Sequence, residues 1–71
     1  MTTLKVIEVL AESDKSFEDA AQQAVTIAAK SVRHISSIYI KDLSAQVENG
    51  RIRRYRINGK ISFALEDQPG T

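Results

Sequence analysis

The dipeptide Asn49-Gly50 lies between two long runs of strand-forming residues and constrains the chain more than any other feature. Both residues tolerate the positive φ that a two-residue hairpin loop demands, so residues 35–47 and 51–66 read as antiparallel neighbours. With this loop, Glu48 faces Arg51, Val47 faces Ile52, Ile40 faces Gly59 and Ile38 faces Ile61. Opposite charges meet in the first pair and apolar or small residues in the others, so the register is self-consistent. The second run alternates almost without error. Tyr55, Ile57, Gly59, Ile61, Phe63 and Leu65 share one face, and Arg54, Arg56, Asn58, Lys60, Ser62 and Ala64 share the other. These positions span about 40 Å at about 3.3 Å per residue. Gly59, in the middle, marks a bend or a close approach by a helix.

The first half of the chain supplies what covers this hairpin. Residues 4–10, LKVIEVL, are rich in β-branched residues and too short for a helix. As a strand they place Ile7 and Val9 on one face and Leu4, Val6 and Leu10 on the other, so both faces call for cover. Ser16 with Asp19 has capping-box spacing, and Glu18 and Asp19 suit the positive end of a helix. Phe17, Ala20, Ala21, Ala24, Ile27, Ala28 and Ser31 then form an apolar stripe of mostly small residues, able to lie close against a sheet. The helix is expected to end between Ser31 and His34, with Arg33 at its negative end. The fold class is therefore α+β: a β-α-β-β chain, with one helix packed on a three-stranded antiparallel sheet. It is a single domain over residues 1–71, with an ordered core of about 4–66 and a flexible tail, EDQPGT.

One helix covers one sheet face. The other carries Ser37, Tyr39, Lys41, Leu43, Arg54, Arg56, Lys60 and Ser62, a mixture that resembles neither a core nor a plain solvated surface. It suits a subunit interface with a small cavity. Length points the same way, because 71 residues bury too little surface to be robust alone. There is no cysteine and only one histidine, His34, which removes disulfides, thiol catalysis and a multi-histidine metal site. Self-association remains as the staple.

Few functional classes survive. The net charge of +1 is too balanced for a generic nucleic-acid or membrane-surface binder. RIRRYR interleaves cations with Tyr55, but in a strand the ring projects opposite to Arg54 and Arg56, so they build no stacking platform. No apolar run is long enough for a membrane span, and the N-terminus lacks a signal-peptide pattern, so a cytoplasmic location is expected. His34, near the helix-to-strand junction, reads as a structural or exposed residue rather than a catalytic one. Glu8, Glu12, Asp14, Glu18 and Asp19 lack the spacing of a calcium loop and read as capping and surface groups. Gly50, Gly59 and Gly70 form no phosphate loop. The chain is not expected to be an enzyme.

The order KVIEVLAESDKSFEDAAQQAV, SSIYIKD, ENGRI and YRINGKISFALED resembles the dodecins over roughly residues 4–66. The resemblance implies a β-α-β-β subunit of a hollow homododecamer that binds and stores flavin, riboflavin or FMN, stacked in pairs at subunit interfaces. The positions matching that pocket are Ser37, where the family stacks a Trp; Arg56, where it has a Gln; and Ser44, where an Arg is frequent. Tyr39 shares the Ser37 face. The alternative is a dodecin-fold oligomer without flavin, acting as a structural or storage assembly or binding another small ligand or a metal ion.

Overall fold

The turn forms as its chemistry dictates. In the computed structural model, which describes residues 3–65, Asn49 and Gly50 lie at φ +55° and +74°, the left-handed values that a type I′ turn needs at both positions. They join β2 (Ile35–Glu48) to β3 (Arg51–Leu65), after β1 (Thr3–Ser13) and α1 (Phe17–Ala28). β3 is the central strand, antiparallel to β1 on one side and β2 on the other. The expected β-α-β-β fold is present, and the tail EDQPGT lies outside the described residues.

β1 outruns its apolar segment. It continues through Ala11, Glu12 and Ser13, opposite Ile57, Arg56 and Tyr55, where hydropathy fades but alternation does not. Ser13 then ties the strand to the helix. Its hydroxyl donates to the Asp19 carboxylate at 2.6 Å and accepts the Lys15 backbone N–H at 2.9 Å. Ser16 caps α1, its Oγ accepting the Asp19 backbone N–H at 2.9 Å. Only this half of the expected capping box is made, because the Asp19 carboxylate is occupied by Ser13 and by Gln23 at 2.6 Å. Those two hydrogen bonds, Ser13's first, hold the Asp19 carboxyl below its ordinary value against an opposing desolvation.

The helix ends earlier than its stripe implies. After Ala28 the N–H groups of Lys30 and Ser31 bond to Ile27 and Ala28, three residues back, the tightened last turn common at helix ends. Arg33 lies beyond it, and α1 has no basic residue in its last turn. His34 at φ +62° then redirects the chain into β2.

Small residues let the helix sit close to the sheet. Ala20 and Ala24 are buried against a core of Ile57, Ile61 and Phe63, and Phe17 meets Tyr55 edge-on at 5.0 Å between ring centroids. α1 lies over β1 and β3 and only lightly over β2. The crowding at Gly59 comes from the neighbouring strand rather than the helix. A Cβ there would stand 3.2 Å from the Tyr39 carbonyl oxygen and 3.4 Å from the Ile38 side chain.

The four expected β2–β3 pairs are all present, from Glu48–Arg51 to Ile38–Ile61. Between them the register slips by one, through irregularities at Gln46/Val47 and Ile40/Asp42 that cancel on either side. In the slipped segment Leu43 faces Ile57 and Ser44 faces Arg56. Leu43 therefore belongs to the helix-side face, a correction to its assignment from simple alternation. An extra residue in one strand reverses every side chain until a second restores it.

Much apolar surface stays in contact with water. Leu10, Tyr39, Val47 and Ile27 are each more than 60% exposed. The accessible surface of 5445 Å² exceeds the about 4,400 Å² typical of a folded monomer of this mass. The difference, about 1,000 Å², is of the order that one partner buries in a standard interface.

Candidate functional site: the open sheet face

The face away from α1 is a ladder of cross-strand rows in the order β1, β3, β2. Val6, Ser62 and Ser37 form one row; Glu8, Lys60 and Tyr39 the next; then Leu10, Asn58 and Asp42; then Glu12, Arg56 and Ser44. Arg54 with Gln46 lies beyond the end of β1. All four residues singled out from the sequence are on this face. Two close pairs result. Ser37 and Tyr39 occupy adjacent rows, and Ser44 stands directly opposite Arg56.

The two pairs do not meet within one chain. From Ser62, opposite Ser37, to Arg56, opposite Ser44, β3 advances six residues, about 20 Å.

Ser37 and Ser62 share a hydrogen bond of 2.6 Å between hydroxyl oxygens. They present a small polar floor rather than a broad aromatic one. Tyr39, 66% exposed, is the one aromatic ring on this face among the described residues. Lys41, the extra residue of the bulge, reaches Glu8 at 3.8 Å.

The densest electrostatics sit at the other end. Arg56 donates from Nε to Glu12 Oε2 at 2.8 Å and from Nη2 to the same oxygen at 2.5 Å. Arg54 Nη1 donates to Glu12 Oε1 at 3.2 Å. One carboxylate is thus gripped by two guanidiniums. The Arg56 hydrogen bond above all, and then Arg54, keep the Glu12 carboxyl below its ordinary value, although partial desolvation works the other way. Glu12 was read from the sequence as a surface or capping acid. Carrying the Leu4, Val6, Leu10 alternation onward through residues 8 and 12 places it on this face, and that was the available signal. Between the two ends, the Asn58 carboxamide oxygen is occluded and has no hydrogen-bond partner among the described residues.

Other features make weaker sites. An apolar recess of about 440 Å³ between the β1 edge and α1 is lined by Ile7, Val9, Ala24 and Ile27, among others. It holds no cluster of reactive groups. Among the described residues no group of three or more His, Asp or Glu side chains is placed to hold a metal ion. No helix there is long and apolar enough to cross a membrane.

A small sheet with one helix, one open face and a large surplus of exposed surface is the form of a subunit that others complete. The chain belongs to the dodecin family, whose model, described as Dodecin, matches residues 3–66. A dodecin of Thermus thermophilus is 25% identical over 63 residues, covering 89% of this chain and 91% of that one. The structure of dodecin from Streptomyces coelicolor is 27% identical with a TM-score of 0.87, covering 94% of this chain and 96% of that one. A calcium dodecin of Mycobacterium tuberculosis, described as calcium chelating with a novel calcium-binding site, is 33% identical with a TM-score of 0.77. That match covers 93% of this chain and 94% of that one.

Proposed function

We propose that this chain is a non-enzymatic, cytoplasmic flavin-binding and storage protein of the dodecin type, working as a hollow homododecamer with an altered ligand site. The observation that carries the reading is the open face, where Ser37, Tyr39, Ser44 and Arg56 all lie on one side of the sheet. Their separation into two pairs about 20 Å apart supports a site completed by a second copy, with the isoalloxazine ring over the Ser37–Tyr39 end. Ser37 offers no stacking surface, so binding is weaker than with Trp there. Aromatic stacking contributes about 0.5–1.5 kcal/mol beyond area burial.

Titrating riboflavin, FMN and FAD with the purified protein, followed by flavin fluorescence, tests this reading. Saturable quenching at micromolar protein is expected. Unquenched fluorescence sinks it and leaves the second reading, a dodecin-fold assembly that stores or supports without flavin. Two observations favour that second reading: the Ser37–Ser62 pair replaces an aromatic floor, and Arg56 is already occupied by Glu12. Binding of another small ligand belongs to the same reading. A metal ion, as the calcium dodecin takes, would need ligands beyond those that the described residues of one copy bring together.

A further inference from the structure

We propose that Arg54 and Arg56 form a subsite for a phosphomonoester, with Glu12 as the resident competitor that the phosphate displaces. The inference rests in part on the flavin reading, because FMN carries such a group and riboflavin does not.

Three observations carry it. Arg54 and Arg56 are two residues apart on one face of β3, so their guanidiniums converge, and both meet the single carboxylate of Glu12. Each guanidinium has five N–H donors, and together they give only three to Glu12. In the single chain their side chains are 59% and 42% exposed, so the remaining donors are left to whatever meets this face in the assembly, a ligand or a second copy. A planar fork of this kind suits phosphate oxygens as well as carboxylate.

The surroundings favour an anion. Directly across from the arginines, β2 presents Ser44 and Gln46, neutral groups able to hydrogen-bond a phosphate, with its acids Asp42 and Glu48 displaced to either side. Beside Arg54 a recess of about 460 Å³ is lined by Gln46, Val47, Glu48, Arg53 and Arg54. In that recess Glu48 is paired with Arg53 at 3.1 Å, which leaves the Arg54 charge to be shared with Glu12. Phosphate brings more charge and more acceptor oxygens than Glu12, so it outcompetes the carboxylate at sufficient concentration. Glu12 keeps the arginines paired when the ligand is away.

The test is a calorimetric titration of FMN, riboflavin and inorganic phosphate into the wild type, Glu12→Gln, Arg54→Gln and Arg56→Gln. Glu18→Gln, on the exposed first turn of α1, is the charge control, and light scattering checks that each variant assembles as the wild type does. The expected result is FMN bound about tenfold or more tighter than riboflavin, with that margin lost in either arginine variant. Glu12→Gln should tighten FMN and phosphate about tenfold, the Coulomb repulsion of a dianion and a carboxylate about 6 Å apart in water. Equal affinity for both flavins, indifferent to Arg54, Arg56 and Glu12, overturns the subsite and leaves the flavin reading standing. Phosphate binding that follows the three variants without any flavin binding upholds the subsite and overturns the flavin reading. No binding of any of the three ligands overturns both.

Discussion

On the proposed flavin reading, replacing Ser37 by Trp and Arg56 by Gln together gives this chain the two side chains that its resemblance to the dodecins implies for a flavin pocket. The structure shows what is lost. Ser37 gives up one hydrogen bond of 2.6 Å, to Ser62, on an exposed face, worth about 0.5–1.5 kcal/mol to folding. Arg56 releases Glu12, which keeps Arg54. The gain lies in binding. A Trp covering one face of the bound ring buries about 100 Å² of its own apolar surface, roughly half of what the side chain has, contributing about 2.5 kcal/mol. Stacking adds about 1 kcal/mol. Together these correspond to about 300-fold in affinity. The measurement is fluorescence quenching of riboflavin, chosen because it lacks the phosphate and reports the ring alone. A dissociation constant lowered by two orders of magnitude or more agrees with the assignment. If the double variant assembles like the wild type but binds riboflavin no better, the Ser37 end of the open face is not where the ring lies.

Three predictions concern the fold itself. Ile61→Ala removes a side chain that is 0% exposed and should cost about 2–5 kcal/mol in a urea titration; a change below 1 kcal/mol contradicts the core assignment. Gly50→Ala places a side chain at φ +74° with no heavy atom within 4 Å of the new Cβ. Its cost is therefore backbone strain alone, about 1–2 kcal/mol, and a stabilised variant would refute the type I′ turn. Glu12 and Asp19 both have carboxyls held below their ordinary values, so both favour the folded state while ionised. Their contribution is complete above the unfolded value of about 4 and is lost as pH falls from there through the lower folded-state values. The thermal midpoint should be flat from pH 7 to about 5, then fall below about 4.5, and Glu12→Gln with Asp19→Asn should shrink that fall.

How much of this was legible depended on whether the signal was local. Asn49-Gly50 specifies its own backbone, and the unbroken alternation from Tyr55 to Leu65 specifies the central strand, so both could be read directly. The four outer pairs of the hairpin followed from the turn. The slip between them did not, because neither Lys41 nor Arg53 marks itself as an extra residue. A bulge increases the local twist of the strand, a backbone property that no single side chain announces. That hidden slip misplaced Leu43, and it is what sets Ser44 opposite Arg56. The early helix end was missed because Ser31 continues the stripe, while the tightened turn after Ala28 is a backbone event. Glu12 reads from the sequence as a surface or capping acid because its pairing requires β1 to run past Leu10, and that pairing shows only once Arg54 and Arg56 stand beside it.

The central claim is that this chain is a building block whose open face is covered by other copies. Light scattering on the purified protein, coupled to size exclusion, tests it most directly. Twelve copies of the 7.9 kDa chain give a mass of about 95 kDa, and adding flavin should leave that mass essentially unchanged. A mass equal to one or two chains at micromolar concentration would contradict the account, because the exposed Leu10, Tyr39 and the arginine row would then face water.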